Sequence, residues 1–133
     1  MQRIGLVLRD PLIANKKVMV EIRGSSDAGW HDGDLEFKKG YVSSAFASLS
    51  EITALFHPLD SPGGTSIHVP TIYLTPIQPE EAQDHALVLR GSHKGDHVVL
   101  RDSAGPGVWM VSKFQDPVEF TIDEESLVKL YHV

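Results

Sequence analysis

The chain has 133 residues, a hydrophobic fraction of 41% and a formal net charge of −6. This size allows one ordinary domain or two very small ones, and the apolar content disfavours disorder as the dominant state. The acidic balance disfavours a protein that coats DNA or RNA nonspecifically, and the lack of cysteine excludes disulfides, thiolate catalysis and cysteine-based zinc sites. Scattered glycines and prolines indicate many short elements, which favours an all-β fold.

Membrane association is not expected from the sequence. No apolar run approaches the ~20 residues that span a bilayer, and the first residues lack the apolar core of a secretory signal. We therefore expect a soluble, intracellular protein with no membrane partner.

The first half of the chain predicts a lead-in segment, a strand and a long loop. Residues 1–16 contain a short apolar burst and a proline, and form the lead-in segment. From Val18 to Ile22 apolar residues alternate along the chain, which is typical of a strand with one buried face. The glycine- and aspartate-rich residues 24–36 predict a long exposed loop. Within it, Trp30 is either an anchor for a partner or folded back on the barrel wall.

Short strands continue from residue 41 to residue 77. Two apolar runs between residues 41 and 57 favour a hairpin, and a short helix across 44–55 is the alternative. Further strands are expected at 66–69 and 73–77. Residues 17–78 are therefore predicted to form one small barrel.

A polar, acidic and proline-bearing stretch, 79–85, predicts a linker before a second barrel at 86–133. Five short strands are expected in that barrel, with one helical turn at 123–126. They lie at 86–90, 97–101, 108–114, 118–122 and 127–131. Five strands in roughly fifty residues, twice over, predict an all-β chain of two small five-stranded barrels in tandem, of the SH3-like or Tudor type.

A β-turn-β pattern in the second half carries a resemblance to a known family. Apolar residues 87–89 precede Gly91, Lys94 and Gly95 supply the turn, and apolar residues 98–100 follow. This pattern resembles the KOW modules of NusG-like transcription elongation factors. In the first half, the opening at residues 9–13 and the stretch 37–41 look like a KOW module of the eukaryotic factor. The residues 25–36 interrupt the turn there, and serines 43 and 44 replace a usual glycine.

The resemblance implies a non-catalytic interaction module of a transcription elongation factor-like protein. It would act in the nucleus, docking on RNA polymerase or accessory elongation factors, with weak binding of nascent RNA as a further contact. Two alternatives remain open. One is a Tudor-like reader of methylated peptide tails, which needs three or four aromatic rings in a cage. The cage candidates are Trp30, Tyr41, Phe46 and Tyr73. The other is a small hydrolase or a metal enzyme.

The candidate binding residues are basic side chains at the two turns and three aromatic rings. The basic residues are Lys38, Lys39, Arg90, Lys94 and Arg101, and the aromatic ones are Trp30, Tyr41 and Trp109. Basic clusters pair with phosphates or acidic protein surfaces, and exposed rings stack on bases. A merely solvated face is an equal alternative, because aspartates 84, 96 and 102 are interspersed. Trp109 is equally compatible with a core position.

No catalytic residue, metal ligand or cofactor is expected. His93 and His97 flank a β-turn and have no third ligand nearby, and residues 31–34 lack the spacing of a calcium loop. Ser92 and Ser103 lie beside His93 and Asp102, but adjacency in sequence does not build a catalytic triad. The glycine-proline stretches at 61–64 and 105–107 are expected to be plain turns.

Overall fold

The structure is a computed structural model that describes residues 16–42, 45–47, 52–59 and 66–131. The chain divides into two compact units, Met1–Pro76 and Ile77–Val133. The described residues form eleven β-strands and three 3-10 helices, without an α-helix, so the prediction of an all-β protein is confirmed. No helix in this described part is long and apolar enough to cross a membrane. The predicted lead-in segment lies outside the described residues, except for residue 16.

The described residues of the first unit form six strands and two 3-10 helices. The strands are β1 (Val18–Ile22), β2 (Lys39–Val42), β3 (Ala45–Ala47), β4 (Ile52–Pro58), β5 (Ile67–Pro70) and β6 (Leu74–Pro76). The 3-10 helices are Trp30–Gly33 and Thr71–Tyr73. Strand β3 pairs antiparallel with β4, so the hairpin prediction is confirmed for the described residues and the helical alternative is wrong.

The first unit has the strand order of an SH3-like barrel. Strands β2 and β3 both pair with β4, and so share the position of a second strand. Strand β5 adds to β4 as the fourth strand. After the 3-10 helix Thr71–Tyr73 the chain returns, and β6 pairs antiparallel with β1. Six strands therefore fill the five strand positions that the sequence predicts.

Alternation along the strands of the first unit separates a buried face from an outer face. On β1, Val18, Val20 and Ile22 are fully buried, while on the other face Met19 is 9% exposed and Glu21 is half-buried. On β4, Ala54 and Phe56 are also fully buried. Burying one side of each strand in this way removes apolar surface from water, which is the main driving force for folding.

The second unit contains five strands in the same order. They are β7 (His85–Val88), β8 (His97–Gly105), β9 (Val108–Lys113), β10 (Glu119–Asp123) and β11 (Leu127–Lys129). Strands β7 to β10 form an antiparallel meander, and the chain then passes through the 3-10 helix Glu124–Ser126. Strand β11 returns to pair with β7. The predicted helical turn and the five predicted strands of this unit are confirmed.

The core of the second unit collects residues from four of its strands. The fully or almost fully buried members are Ala86, Val88, Val98, Leu100, Val111 and Leu127. Trp109, Phe120 and Ile122 are half-buried and pack against them. Trp109 therefore lies on the core side of β9 and belongs to the packing of the sheet.

Residues 79–85, predicted as a linker, are hydrogen-bonded within the second unit. The Gln83 amide donates to the Leu100 carbonyl at 2.8 Å, and the Leu100 amide donates to the Asp84 carbonyl at 2.9 Å. Next to the segment, the Lys129 amide donates to the Ile77 carbonyl at 2.7 Å. The two bonds with Leu100 attach the segment to β8, and the bond with Lys129 attaches Ile77 to β11. His85 already belongs to β7.

The predicted turn at residues 37–41 is wrong for its second half, which is a strand. Residues 39–42 form β2, and Lys39, Gly40 and Tyr41 pair with Glu21, Val20 and Met19 of β1. The connection between β1 and β2 is instead the loop before residue 39. The long loop moves the turn away from the Lys-Gly pair, so the similarity in sequence does not correspond to a turn.

Gly40 occupies its place because a side chain does not fit there. A Cβ atom at this position would lie 2.6 Å from the Cζ atom of the buried Phe56 ring, and would also clash with the His57 carbonyl oxygen. The missing side chain lets β4 and the Phe56 ring approach β2 closely.

Substitution G40A is expected to lower the free energy of unfolding by about 3 kcal/mol, because the core must move to accept one methyl group. Urea denaturation of the purified chain measures this loss. The neighbouring K39A, on the outer side of the same strand, serves as control and should change stability by less than about 0.5 kcal/mol. Equal stabilities for G40A and K39A would contradict the packing around Gly40.

Candidate functional site

The turn between β7 and β8 has the geometry that the sequence predicts. Gly91 and Gly95 adopt positive φ angles of 88° and 89°, which glycine tolerates without strain. The Lys94 amide donates to the Gly91 carbonyl at 3.2 Å, and the Gly95 amide donates to the Val88 carbonyl at 2.8 Å. Lys94 is exposed on this turn.

Arg90 precedes the turn and connects it to the 3-10 helix Glu124–Ser126. Its Nε donates to the hydroxyl of Ser126 at 2.9 Å. Its Nη2 lies 3.9 Å from an Asp123 carboxylate oxygen and 3.8 Å from one of Glu125. These exposed ion pairs contribute little to stability. They do offset the charge of Arg90, so the guanidinium is only partly available to a phosphate or a partner carboxylate.

Arg101 does not lie at the turn. It is on β8, four residues beyond His97, which corresponds to about 13 Å along an extended strand. Its Nε donates to the Ser112 hydroxyl at 2.7 Å, and its Nη1 donates to Gln83 Oε1 at 3.1 Å. The structure therefore separates Arg101 from Arg90 and Lys94, and gives it a role in fixing β8, β9 and the Gln83 segment.

The second unit is acidic despite its basic turn. Residues 77–133 contain five basic residues against ten acidic ones, which leaves a formal charge of −5. Two further lysines are neutralised locally, since Lys113 lies 3.4 Å from Asp96 and Lys129 lies 3.7 Å from Asp84. This charge distribution opposes binding of a polyanion to the unit as a whole.

Lys38 and Lys39 belong to the first unit, so the predicted basic residues form two groups. The Lys38 carbonyl accepts a hydrogen bond from the Ile22 amide at 2.9 Å, where the loop rejoins the sheet. Lys39 is exposed at the start of β2, opposite Glu21 in the register with β1. The second group consists of Arg90 and Lys94.

Tyr41 lies on the outer face of β2 and contacts two other side chains. Its ring stacks on the His57 ring, with 4.8 Å between centroids and 15° between planes. The Lys17 Nζ lies 5.5 Å from the Tyr41 centroid, within cation-π range. The stack occupies part of the surface that a base or a methylated side chain would need.

Trp30 and Tyr73 meet at one end of the first unit. Their ring centroids are 5.5 Å apart with 33° between the planes, and the His31 ring lies edge-on to Trp30 at 4.4 Å. Trp30 comes from the loop, and Tyr73 from the 3-10 helix Thr71–Tyr73, so only the fold brings them together. The sequence named both rings among four candidates for an aromatic cage, but it did not show that Tyr73, rather than Tyr41, lies next to Trp30.

Glu36 organises the loop that carries Trp30. One carboxylate oxygen accepts hydrogen bonds from the Ser25 hydroxyl at 2.7 Å and the Ser26 amide at 3.1 Å, and the other accepts one from the Gly24 amide at 2.9 Å. The Ser25 carbonyl in turn accepts from the Trp30 amide at 3.0 Å. The Ser25 hydroxyl and the backbone amides hold the pKa of Glu36 at about 2, well below its ordinary value.

The candidate histidines are separated by their contacts. His93 stacks on Phe120 with 3.7 Å between ring centroids, and its Nδ1 lies 3.2 Å from an Asp96 carboxylate oxygen. His97 instead shares a hydrogen bond with His85 at 2.7 Å between the two ring nitrogens. Within the part of the chain that the structure describes, no three histidine or carboxylate side chains are grouped as metal ligands.

Ser103, one of the two serines considered for catalysis, has local partners. The Ser103 amide donates to its neighbour Asp102, and the Ser103 hydroxyl contacts the Gly105 carbonyl at 3.5 Å.

In the first unit, the Ser66 hydroxyl lies 3.1 Å from the His57 Nδ1, a serine-histidine pair that the sequence did not indicate. The Tyr41 ring stacks on that histidine, and the pair connects β4 with the residue that precedes β5.

The Glu36 hydrogen bonds predict an acid response of the loop. Because the folded pKa of about 2 is below the ordinary 4.5, their contribution is complete above pH 4.5 and is lost as pH falls through 2. In an NMR titration, the Glu36 carboxyl carbon and the Ser26 amide should change with a shared midpoint near pH 2. A midpoint near 4.5 would contradict the hydrogen bonding.

Two variants separate this effect from general acid unfolding. E36Q removes the titrating group, and should loosen the loop at neutral pH and abolish the acid response of the Ser26 signal. E119Q removes an exposed carboxylate from β10, and should leave both the loop and its acid response unchanged.

No protein-family model matches the sequence, and no curated protein shows significant similarity to it. The SH3-like strand order is shared by barrels with unrelated functions. The strand order therefore indicates no particular function, and the functional information lies in the surfaces of the two units.

Proposed function

We propose that the chain is a non-catalytic interaction module of a transcription elongation factor-like protein, acting in the nucleus and docking on RNA polymerase or its accessory factors. The turn between β7 and β8 is the observation that carries the proposal. There an exposed Lys94 stands between two positive-φ glycines, Gly91 and Gly95. The resemblance to KOW modules was based on this same pattern of glycine and lysine between two apolar strands.

The repetition of one strand order in both units also supports a tandem module. In each unit a 3-10 helix precedes the last strand, and that strand pairs with the first. The residues 9–13, which carry part of the resemblance in the first half, lie outside the described residues. The support from the first unit therefore comes from its topology.

Docking on a protein fits the charges better than strong binding of RNA. Affinity for a nucleic acid depends on cations that neutralise phosphates. Arg90 and Arg101 are already engaged within the second unit, and that unit is acidic overall. Contact with nascent RNA is therefore proposed as weak and secondary.

A Tudor-like reader of methylated tails is a second candidate function, favoured by the contact between Trp30 and Tyr73. These two rings and His31 form part of an aromatic wall. Tyr41 contacts His57 and Lys17 on the outer face of the sheet instead, and the side chain of Phe46 is outside the described residues. Titration with methyl-lysine and methyl-arginine peptides tests this candidate, which is dismissed if no signal shifts.

Charge reversal tests the docking proposal. K38E/K39E and K94E should each weaken binding to purified RNA polymerase and its elongation factors by about tenfold, because a repulsive contact replaces an attractive one. Pull-down with the purified complexes and fluorescence anisotropy with labelled RNA measure the two kinds of partner. Unchanged binding of both partners by the combined variant K38E/K39E/K94E would reject these residues as the docking surface.

The effect of R90E on binding has to be compared with the effect of K94E. Arg90 holds the Ser126 hydroxyl, so its reversal also disturbs the fold of the second unit. K94E leaves the contact between Arg90 and Ser126 intact, and a thermal melt of K94E shows whether its own fold is preserved. K16E, an exposed lysine outside the proposed surfaces, is the control and should leave binding unchanged.

A further inference from the structure

One end of the first unit presents exposed apolar and aromatic side chains. Hydrogen bonds join three segments there, because the Phe37 amide donates to the Ile22 carbonyl at 2.7 Å and the Arg23 amide donates to the Tyr73 carbonyl at 2.8 Å. Phe37 and Tyr73 thus flank the same end of β1, about 10 Å apart across two strand spacings. We call the side chains at this end the Trp30 surface. It consists of Arg23, Trp30, Phe37, Ile72 and Tyr73.

Two large apolar side chains of the Trp30 surface are mostly exposed to solvent. Ile72 is 80% exposed and Phe37 is 61% exposed, the two highest values among the large apolar residues of the described chain. Tryptophan, tyrosine and arginine, which accompany them here, are the residues enriched at the energetic centres of protein interfaces. Trp30 contacts Tyr73 and Arg23 covers Phe37, while Ile72 adjoins Tyr73 in the 3-10 helix. Exposed apolar side chains beside such contacts are typical of a docking surface.

The loop beside this surface is acidic and therefore favours a positively charged partner. Residues 24–36 contain four acidic residues and no lysine or arginine. Glu36 is used within the loop, whereas Asp27, Asp32 and Asp34 are exposed. The cation on the Trp30 surface, Arg23, is already paired with Glu21 at 3.0 Å. A positively charged partner therefore complements the loop, and a nucleic acid does not.

One cation of the chain itself, Arg23, already lies over an aromatic ring of this surface. The Arg23 guanidinium lies over the Phe37 ring, 4.9 Å from the centroid. The Trp30 and Tyr73 rings offer comparable faces beside the aspartates, and cations bind best over tryptophan. The Glu36 hydrogen bonds hold the loop in shape before a partner arrives, which lowers the entropic cost of binding.

We propose that the Trp30 surface and the acidic loop 24–36 bind a basic peptide segment of a partner protein. An arginine or lysine of the segment lies against Trp30 and Tyr73 and faces Asp32 and Asp34, and its apolar neighbours contact Phe37 and Ile72. This site uses residues other than the basic turn groups. It can therefore stand or fail independently of docking through the basic turns. It shares Trp30 and Tyr73 with the second candidate function, but binding here requires no methyl group, so an unmethylated peptide distinguishes the two.

An NMR titration of the full chain with a synthetic peptide of alternating arginine and leucine tests the site. The expected result is a saturable shift of the Trp30 indole N–H and of the loop amides, with no response to the matching glutamate-leucine peptide. Nonspecific attraction would instead shift signals of the second unit, because that unit carries the larger negative charge. That pattern, or no shift at all, overturns the proposal.

Matched variants assign the contribution of the loop charges. D32N/D34N should raise the Kd of the basic peptide about fivefold to tenfold, which lies within the effect of two exposed ion pairs. Asparagine tolerates the positive φ of 55° at position 32, so the backbone is preserved. E81Q/E119Q removes two charges from the second unit and should leave the Kd unchanged. Equal effects of the two double variants would overturn the proposal.

Variants of the rings test the other half of the site. W30A should weaken binding by more than about tenfold, as loss of a central interface tryptophan does. Because W30A could also disturb the loop, I72S provides a second test at a residue that is 80% exposed and carries little of the fold. An unchanged Kd in both W30A and I72S would remove the aromatic surface from the proposal.

Discussion

Both units depend on the return of their last strand to their first. Strand β6 pairs with β1, and β11 pairs with β7, and in each case a 3-10 helix makes the turn that permits it. A unit of this size has too little interior for a large core. Placing the first strand between two partners curls the sheet around the few side chains that are buried, and leaves fewer unpaired strand edges. The close approach at Gly40 serves the same end, because it lets the Phe56 ring fill the interior of the first unit.

Polar contacts replace apolar packing where the chain leaves the sheets. The loop between β1 and β2 has little apolar content, and a single carboxylate, Glu36, accepts hydrogen bonds from residues 24–26 to close it. In the second unit Arg90 has a comparable role, joining the β7–β8 turn to Ser126. Loops held in this way stay on the surface while presenting fixed side chains. Trp30 and Lys94, on which the two binding proposals rest, are both on such loops.

The distribution of charge gives the two units different surfaces. Several cations of the second unit are paired with its own carboxylates, so its basic turn stands in an acidic environment. In the first unit the aspartates of the loop are exposed beside aromatic rings, and Arg23 is taken by Glu21 and Phe37. The chain thus offers a small basic site and a separate acidic, aromatic one. The docking proposal rests on the first of these surfaces, and the proposed binding of a basic peptide rests on the second.

The sequence by itself determined the strands, because alternation such as Val18–Ile22 and turn residues such as Gly91 and Gly95 are local properties of the chain. It also predicted two small SH3-like barrels and the turn that carries Lys94. Only the tertiary structure decided which side chains meet. The contact of Trp30 with Tyr73 spans more than forty residues, Glu36 finds its partners across the loop, Arg101 lies away from the turn, and Lys39 to Tyr41 form a strand. Such contacts depend on strand register and on the path of a long loop, and neither is set by residues adjacent in sequence.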